Sequence, residues 1–129
     1  MSAKDDPIAG TRCLVMEDEY LIALDIQQIL ETAGAQLVTC VTNVADALAT
    51  LAEGLTFDVA ILDLKIGNAA LPNLTVAEVL AAKATPFVFL TGMTDGKTHV
   101  ARFGHAPLLE KPYDTEGLLA AVRRALTAR

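Results

Sequence analysis

Short apolar runs, each too brief for an ordinary helix, alternate along this chain with segments whose apolar residues recur at helical spacing. The runs cover residues 12–16, 36–41, 59–62, 87–90 and 108–109. Between the first two, Ile22, Ile26, Ile29 and Leu30 form one apolar stripe on a helix that stops near Gly34. Asn43 can cap a second helix through about Ala52, residues 74–83 read as a third, residues 98–103 as a short and weak fourth, and Asp114 can cap a fifth through Leu126. Strands regularly separated by helices pair in parallel, because only a long crossover returns the chain to the same end of the sheet. The expected fold is therefore α/β: a doubly wound five-stranded parallel sheet, order 2-1-3-4-5, with helices on both faces.

A chain of 129 residues accommodates one such domain, so a sensor or output module is expected to be another molecule. Residues 1–10, with Lys4, Asp5, Asp6 and Pro7, lack the layout of an export signal and read as a flexible lead-in, leaving 11–129 as the folded domain. The formal charge of −6 argues against a nucleic-acid surface. No apolar stretch is long enough for a membrane span; Glu78 and Lys83 interrupt the best candidate. Cys13 and Cys40 are too far apart in sequence for a metal or redox motif and are expected to be buried, reduced thiols of a cytoplasmic protein.

Ligands of doubly wound sheets bind at the carboxyl ends of the strands, so the residues ending each run matter most. The first run ends in Glu17, Asp18 and Glu19, and the third in Asp63. Acids at a helix start have an ordinary explanation, since they favour its positive end, but a further acid on the adjacent strand crowds several carboxylates at one mouth. A hard divalent cation relieves that repulsion, and magnesium suits oxygen donors unaccompanied by His or Cys. The fourth run ends Thr91-Gly92, offering a hydroxyl for a phosphoryl oxygen, and the fifth ends Lys111-Pro112, offering a positive charge. Singly, such residues are usually turns or caps; together they point to phosphoryl chemistry.

With Glu17-Asp18, Asp63, Thr91-Gly92 and Lys111-Pro112 at these places, the chain from about Arg12 to Arg129 resembles the receiver domains of bacterial two-component response regulators, which have the flavodoxin-like receiver fold. The run Phe87-Val88-Phe89-Leu90-Thr91-Gly92 is similar to a subgroup of mainly single-domain receivers reading Phe-Ala-Thr-Gly at strand four, with Leu90 here replacing the Ala. The resemblance implies that Asp63 accepts a phosphoryl group from a histidine kinase or histidine phosphotransfer protein, and that Mg2+ is held by Glu17, Asp18, Asp63 and the backbone carbonyl of Lys65. It further implies that Thr91 and Lys111 contact phosphoryl oxygens, and that the bond before Pro112 is cis and aims Lys111 into the site. The readout face would be the fourth helix, fifth strand and fifth helix. Leu108 stands where the family usually carries a switching aromatic, and Tyr113 matches an aromatic often found after the Lys-Pro pair. Lys65 and Met93 occupy positions that gate hydrolytic water in the family, and their length is expected to slow dephosphorylation. His99 and His105 read as surface residues.

Three other readings compete. A phosphatase built on the same chemistry needs a second acid two residues after the nucleophile, where this chain has Lys65. A flavodoxin-like cofactor binder wants amides and hydroxyls after strand one, where this chain has three acids. A degenerate receiver would keep the fold as a constitutive binding module, although every residue needed for phosphorylation is present. The expectation is a non-enzyme, apart from its own phosphorylation and slow dephosphorylation. It would act through a downstream protein target, a phosphorelay or a phosphate sink, as a monomer or a phosphorylation-dependent dimer.

Overall fold

The computed structural model describes residues 5–66, 74–92 and 100–128. In chain order these form β1 (Arg12–Met16), α1 (Tyr20–Thr32), β2 (Leu37–Val41), α2 (Val44–Ala52), β3 (Val59–Asp63), α3 (Thr75–Ala82), β4 (Phe87–Thr91), a 3-10 turn (Ala101–Phe103), β5 (Leu108–Glu110) and α4 (Thr115–Thr127). The strands make one sheet in the order β2-β1-β3-β4-β5, every neighbouring pair parallel, which is the doubly wound architecture expected from the sequence.

Alternation along the strands divides the core into two layers. Leu14, Met16, Ala60, Leu62, Phe87 and Phe89 meet Ala47 and Leu51 of α2 and Val76 and Leu80 of α3. On the other face Cys13, Val15, Val59, Ile61, Val88 and Leu90 meet Ile26 and Leu30 of α1 and Leu118 and Val122 of α4. Strands β3 and β4 are therefore buried at every position, as strands covered on both sides must be. The helices start where the sequence places polar caps: Asn43 accepts from the Asp46 N–H at 2.7 Å, and Asp114 from the Gly117 N–H at 2.7 Å.

Three expectations change. The stretch before β1 is not a free lead-in over the residues described: Ile8 is fully buried in the α1–α4 layer, and Asp6 pairs with Arg123 of α4 at 2.7 Å. Its chain is held by the Gly10 N–H donating to the Gly34 carbonyl at 2.8 Å, and Ala9 approaches Gly34 so closely that a Cβ on Gly34 would lie 3.2 Å from the Ala9 Cα. Gly34 also takes φ 108°, a conformation that favours glycine, and so ends α1 and seats this segment at once. Cys13 is buried, but Cys40 is exposed. The reason is topological, since β2 is an edge strand and α1 covers it only in part. Finally, a three-residue 3-10 turn stands where a fourth helix over 98–103 was expected; Thr98 and His99 of that stretch lie outside the described residues. No helix among the described residues is long and apolar enough to cross a membrane.

Candidate functional site

Parallel pairing brings the carboxyl ends of β1, β3, β4 and β5 to one edge of the sheet, so residues far apart in sequence become neighbours. Met16 is level with Leu62, Asp63 with Leu90, and Thr91 with Glu110. One residue beyond each partner stand Glu17 after β1 and Lys111 after β5. The Lys111 N–H donates to the Thr91 carbonyl at 2.7 Å, tying the end of β5 to that of β4. The Lys111–Pro112 peptide is cis.

The side chains converge on Lys111. Its Nζ donates to Asp63 Oδ2 at 2.8 Å and to Glu17 Oε1 at 3.0 Å, while the Lys65 backbone N–H donates to Asp63 Oδ1 at 2.9 Å. Glu17 and Asp63 are buried and Asp18 is exposed at the mouth; all three offer carboxylate oxygens within 4.8 Å of one another. Glu17 Oε2 is buried without a hydrogen-bond partner. A buried, unpartnered oxygen on a carboxylate that has two others close by fits a hard cation with oxygen ligands. The donor set thus suits magnesium, with Glu17, Asp18 and Asp63 as the acids able to hold it.

Crowding shows in the protonation equilibria. Burial, reinforced by the Asp63 carboxylate and only partly offset by Lys111, pushes Glu17 up to about 8. Burial opposes the charge on Lys111, but its hydrogen bonds and attraction to Asp63 and Glu17 outweigh this and hold the ammonium above its ordinary value. Tyr113, half-buried beside the site, is pushed up to about 12, by burial first and then by the charge of Asp25.

Of the residues singled out from sequence, the structure brings Glu17, Asp18, Asp63 and Lys111 into one cluster and places the Lys65 backbone against it. Thr91 is buried at the same sheet edge, where its carbonyl accepts the Lys111 N–H. Glu19 takes no part: it is exposed at the N-cap position of α1 and makes no side-chain capping bond. His105 is exposed, as expected, and Met93 lies outside the described residues. Tyr20 and Leu21, not singled out from sequence, are 73% and 76% exposed at the start of α1, two and three residues after Asp18. The available signal was that both precede the Ile22–Ile26–Leu30 stripe, so the core does not claim them.

The family model for the response regulator receiver domain matches residues 13–123. Among solved structures, SdrG from Sphingomonas melonis Fr1 is 38% identical with a TM-score of 0.76, over 98% of this chain and 100% of that one. The BeF3-activated conformation of SdrG, from Pseudomonas melonis Fr1, is 39% identical with a TM-score of 0.76, over 92% of this chain and 98% of that one. Among curated proteins, the Phyllosphere-induced regulator PhyR of Methylorubrum extorquens is 23% identical over 91% of this chain, which spans only 44% of that relative's length. Fold, strand-edge chemistry and these likenesses agree: the chain belongs to the response regulator receiver domain family of two-component signalling.

Proposed function

We propose that the chain accepts a phosphoryl group on Asp63 from the phosphohistidine of a histidine kinase or histidine phosphotransfer protein. The observation that carries this reading is the Lys111 ammonium bound to both Asp63 Oδ2 and Glu17 Oε1, with the Asp18 carboxylate at hand. A carboxylate oxygen of Asp63 attacks phosphorus as the N–P bond breaks and its electron pair returns to the imidazole. Lys111 then has phosphoryl oxygens to replace its carboxylate contacts, and Thr91 turns toward them from the end of β4. Held by Glu17, Asp18, Asp63 and the Lys65 carbonyl, magnesium would supply charge compensation for the transferring group. Tyr20 and Leu21, exposed beside Asp18, offer the donor protein an apolar landing.

Lys65, two residues after Asp63, stands where an aspartyl-phosphate phosphatase would carry its second acid, so we assign no turnover of other phosphate esters. Its exposed side chain shields the phosphoryl group from water and slows its loss, with Met93 the other residue given this role. The phosphorylated chain, in the cytoplasm, signals by binding a downstream protein, by relaying phosphoryl to another His or by draining a kinase, as a monomer or a phosphorylation-dependent dimer.

Incubation with acetyl phosphate and magnesium, followed by intact-mass measurement, tests the reading. The mass is expected to rise by one phosphoryl group in the wild type and not in Asp63→Asn or without magnesium. An unchanged wild-type mass with both acetyl phosphate and phosphorylated kinase would overturn it.

A further inference from the structure

A phosphoryl group on Asp63 has to be felt elsewhere in the molecule if the chain is to signal, and the side chains of β4 supply a path. Phe87, Phe89 and Thr91 alternate with Val88 and Leu90, so these three share the face covered by α2 and α3. Phe103, from the 3-10 turn, completes an aromatic triangle with the first two. Ring centroids are 5.2 Å apart for Phe87 and Phe89, 5.6 Å for Phe87 and Phe103, and 5.8 Å for Phe89 and Phe103. Edge-on and tilted rings of this kind hold one another in preferred orientations.

Two observations suit Phe103 to motion. Its turn is only three residues long, and at the surface it is tied by Arg102, whose guanidinium lies 4.9 Å from the Phe103 ring centre and 2.7 Å from Glu78 of α3. Phe103 also lines an open surface groove of about 550 Å³ with Ala81, Pro86, Phe87, Ala106 and Pro107, so one side of the ring borders that groove and is not enclosed by core side chains all round. Leu108, level with Phe89 on β5, has no ring to bring to the same space.

We propose that Phe103 reports the state of Asp63. When Thr91 turns toward the phosphoryl group it leaves volume beside Phe89, and Phe103 shifts along β4 into that volume, carrying the 3-10 turn with it. The Arg102–Glu78 pair belongs to the resting state and holds the turn back. This rests on the phosphorylation of Asp63 proposed above. Because coupling between two places in one molecule is reciprocal, loosening the turn must make Asp63 easier to load.

The test uses the whole chain with its four Phe rings carbon-13 labelled, titrated with magnesium and beryllofluoride as the phosphoryl mimic. Loading is followed at the Lys65 amide and the reporter at the Phe103 ring. The Phe103 signals are expected to move in step with Lys65, while those of Phe57, on the β3 side of the core, move far less. In Glu78→Gln, a surface change that leaves the core intact, the beryllofluoride midpoint is expected to fall about twofold to fivefold, the range a surface ion pair allows. Glu78→Lys is expected to act in the same direction. A Phe103 ring unmoved while Lys65 responds, or equal midpoints in wild type and Glu78→Gln, overturns the inference and leaves the proposed function standing. No response at Lys65 overturns both.

Discussion

Glu17 is fully buried, with one oxygen on the Lys111 ammonium, the other without a hydrogen-bond partner, and the carboxylates of Asp18 and Asp63 close by. With its pKa raised from 4.5 to about 8, the folded chain binds a proton there that the unfolded chain releases. The sign follows from linkage: this contribution to stability is full below pH 4.5 and is lost as pH rises through about 8. Metal-free protein should therefore show a falling urea midpoint between about pH 6 and pH 8 from this group, and magnesium should oppose the fall. Magnesium affinity should rise about tenfold per pH unit over the same window, because the ion displaces the proton; calorimetry in buffers of different ionisation enthalpy would count it. In Glu17→Gln the pH slope should flatten. The two thiols give a separate check. Cys13 is buried and held above its ordinary pKa by burial; Cys40 is exposed on the edge strand, though partial burial of its thiol and then the Glu31 charge raise its pKa as well. Native protein at alkaline pH should give one thiol that reacts with an alkylating reagent, more slowly than a free thiol and removed by Cys40→Ser, and two after unfolding.

At the scale of elements, the clearest sequence signals were the polar caps and the strand alternation. Asn43 and Asp114 cap as read because a short side chain with an acceptor satisfies an otherwise unpaired N–H, a purely local bargain. Replacing either by Ala should cost about 1 kcal/mol, read as a lower urea midpoint with an unchanged slope. The segment between β4 and β5 was less legible. Periodicity in 98–103 suggested a weak helix, yet Phe103 is drawn into the aromatic triangle, and tertiary packing of that kind overrides a marginal local preference. Strand β2 shows the same limit. Its sequence is as apolar as that of an interior strand, but only sheet order makes it an edge, exposing Leu37 and Cys40.

Across the whole molecule, residues 6–10 tie the amino-terminal segment to the far end of the chain. Asp6 bonds Arg123 through both carboxylate oxygens, with Oδ1 3.2 Å from Nε and Oδ2 2.7 Å from an Nη, and Ile8 fills the layer between α1 and α4. Ile8→Ala should cost about 2–5 kcal/mol, as truncation of a fully buried aliphatic does. Asp6→Asn should cost only about 0.5–1 kcal/mol, because Arg123 remains partly exposed to screening water. Arg123 holds the Asp6 pKa below 3.8, so this contribution is present above pH 3.8 and disappears as pH falls through the folded value. Wild type and Asp6→Asn should therefore converge in stability in strong acid, which paired thermal melts would show. By itself the sequence determined the strand and helix alternation, the parallel sheet and the polar residues ending each strand, because these depend on short-range periodicity and on chain-crossing geometry. It did not carry the buried anchor at Ile8, the exposure of Cys40 or the seat of Phe103. Those depend on which surfaces meet when distant segments pack, and only the tertiary structure decides that.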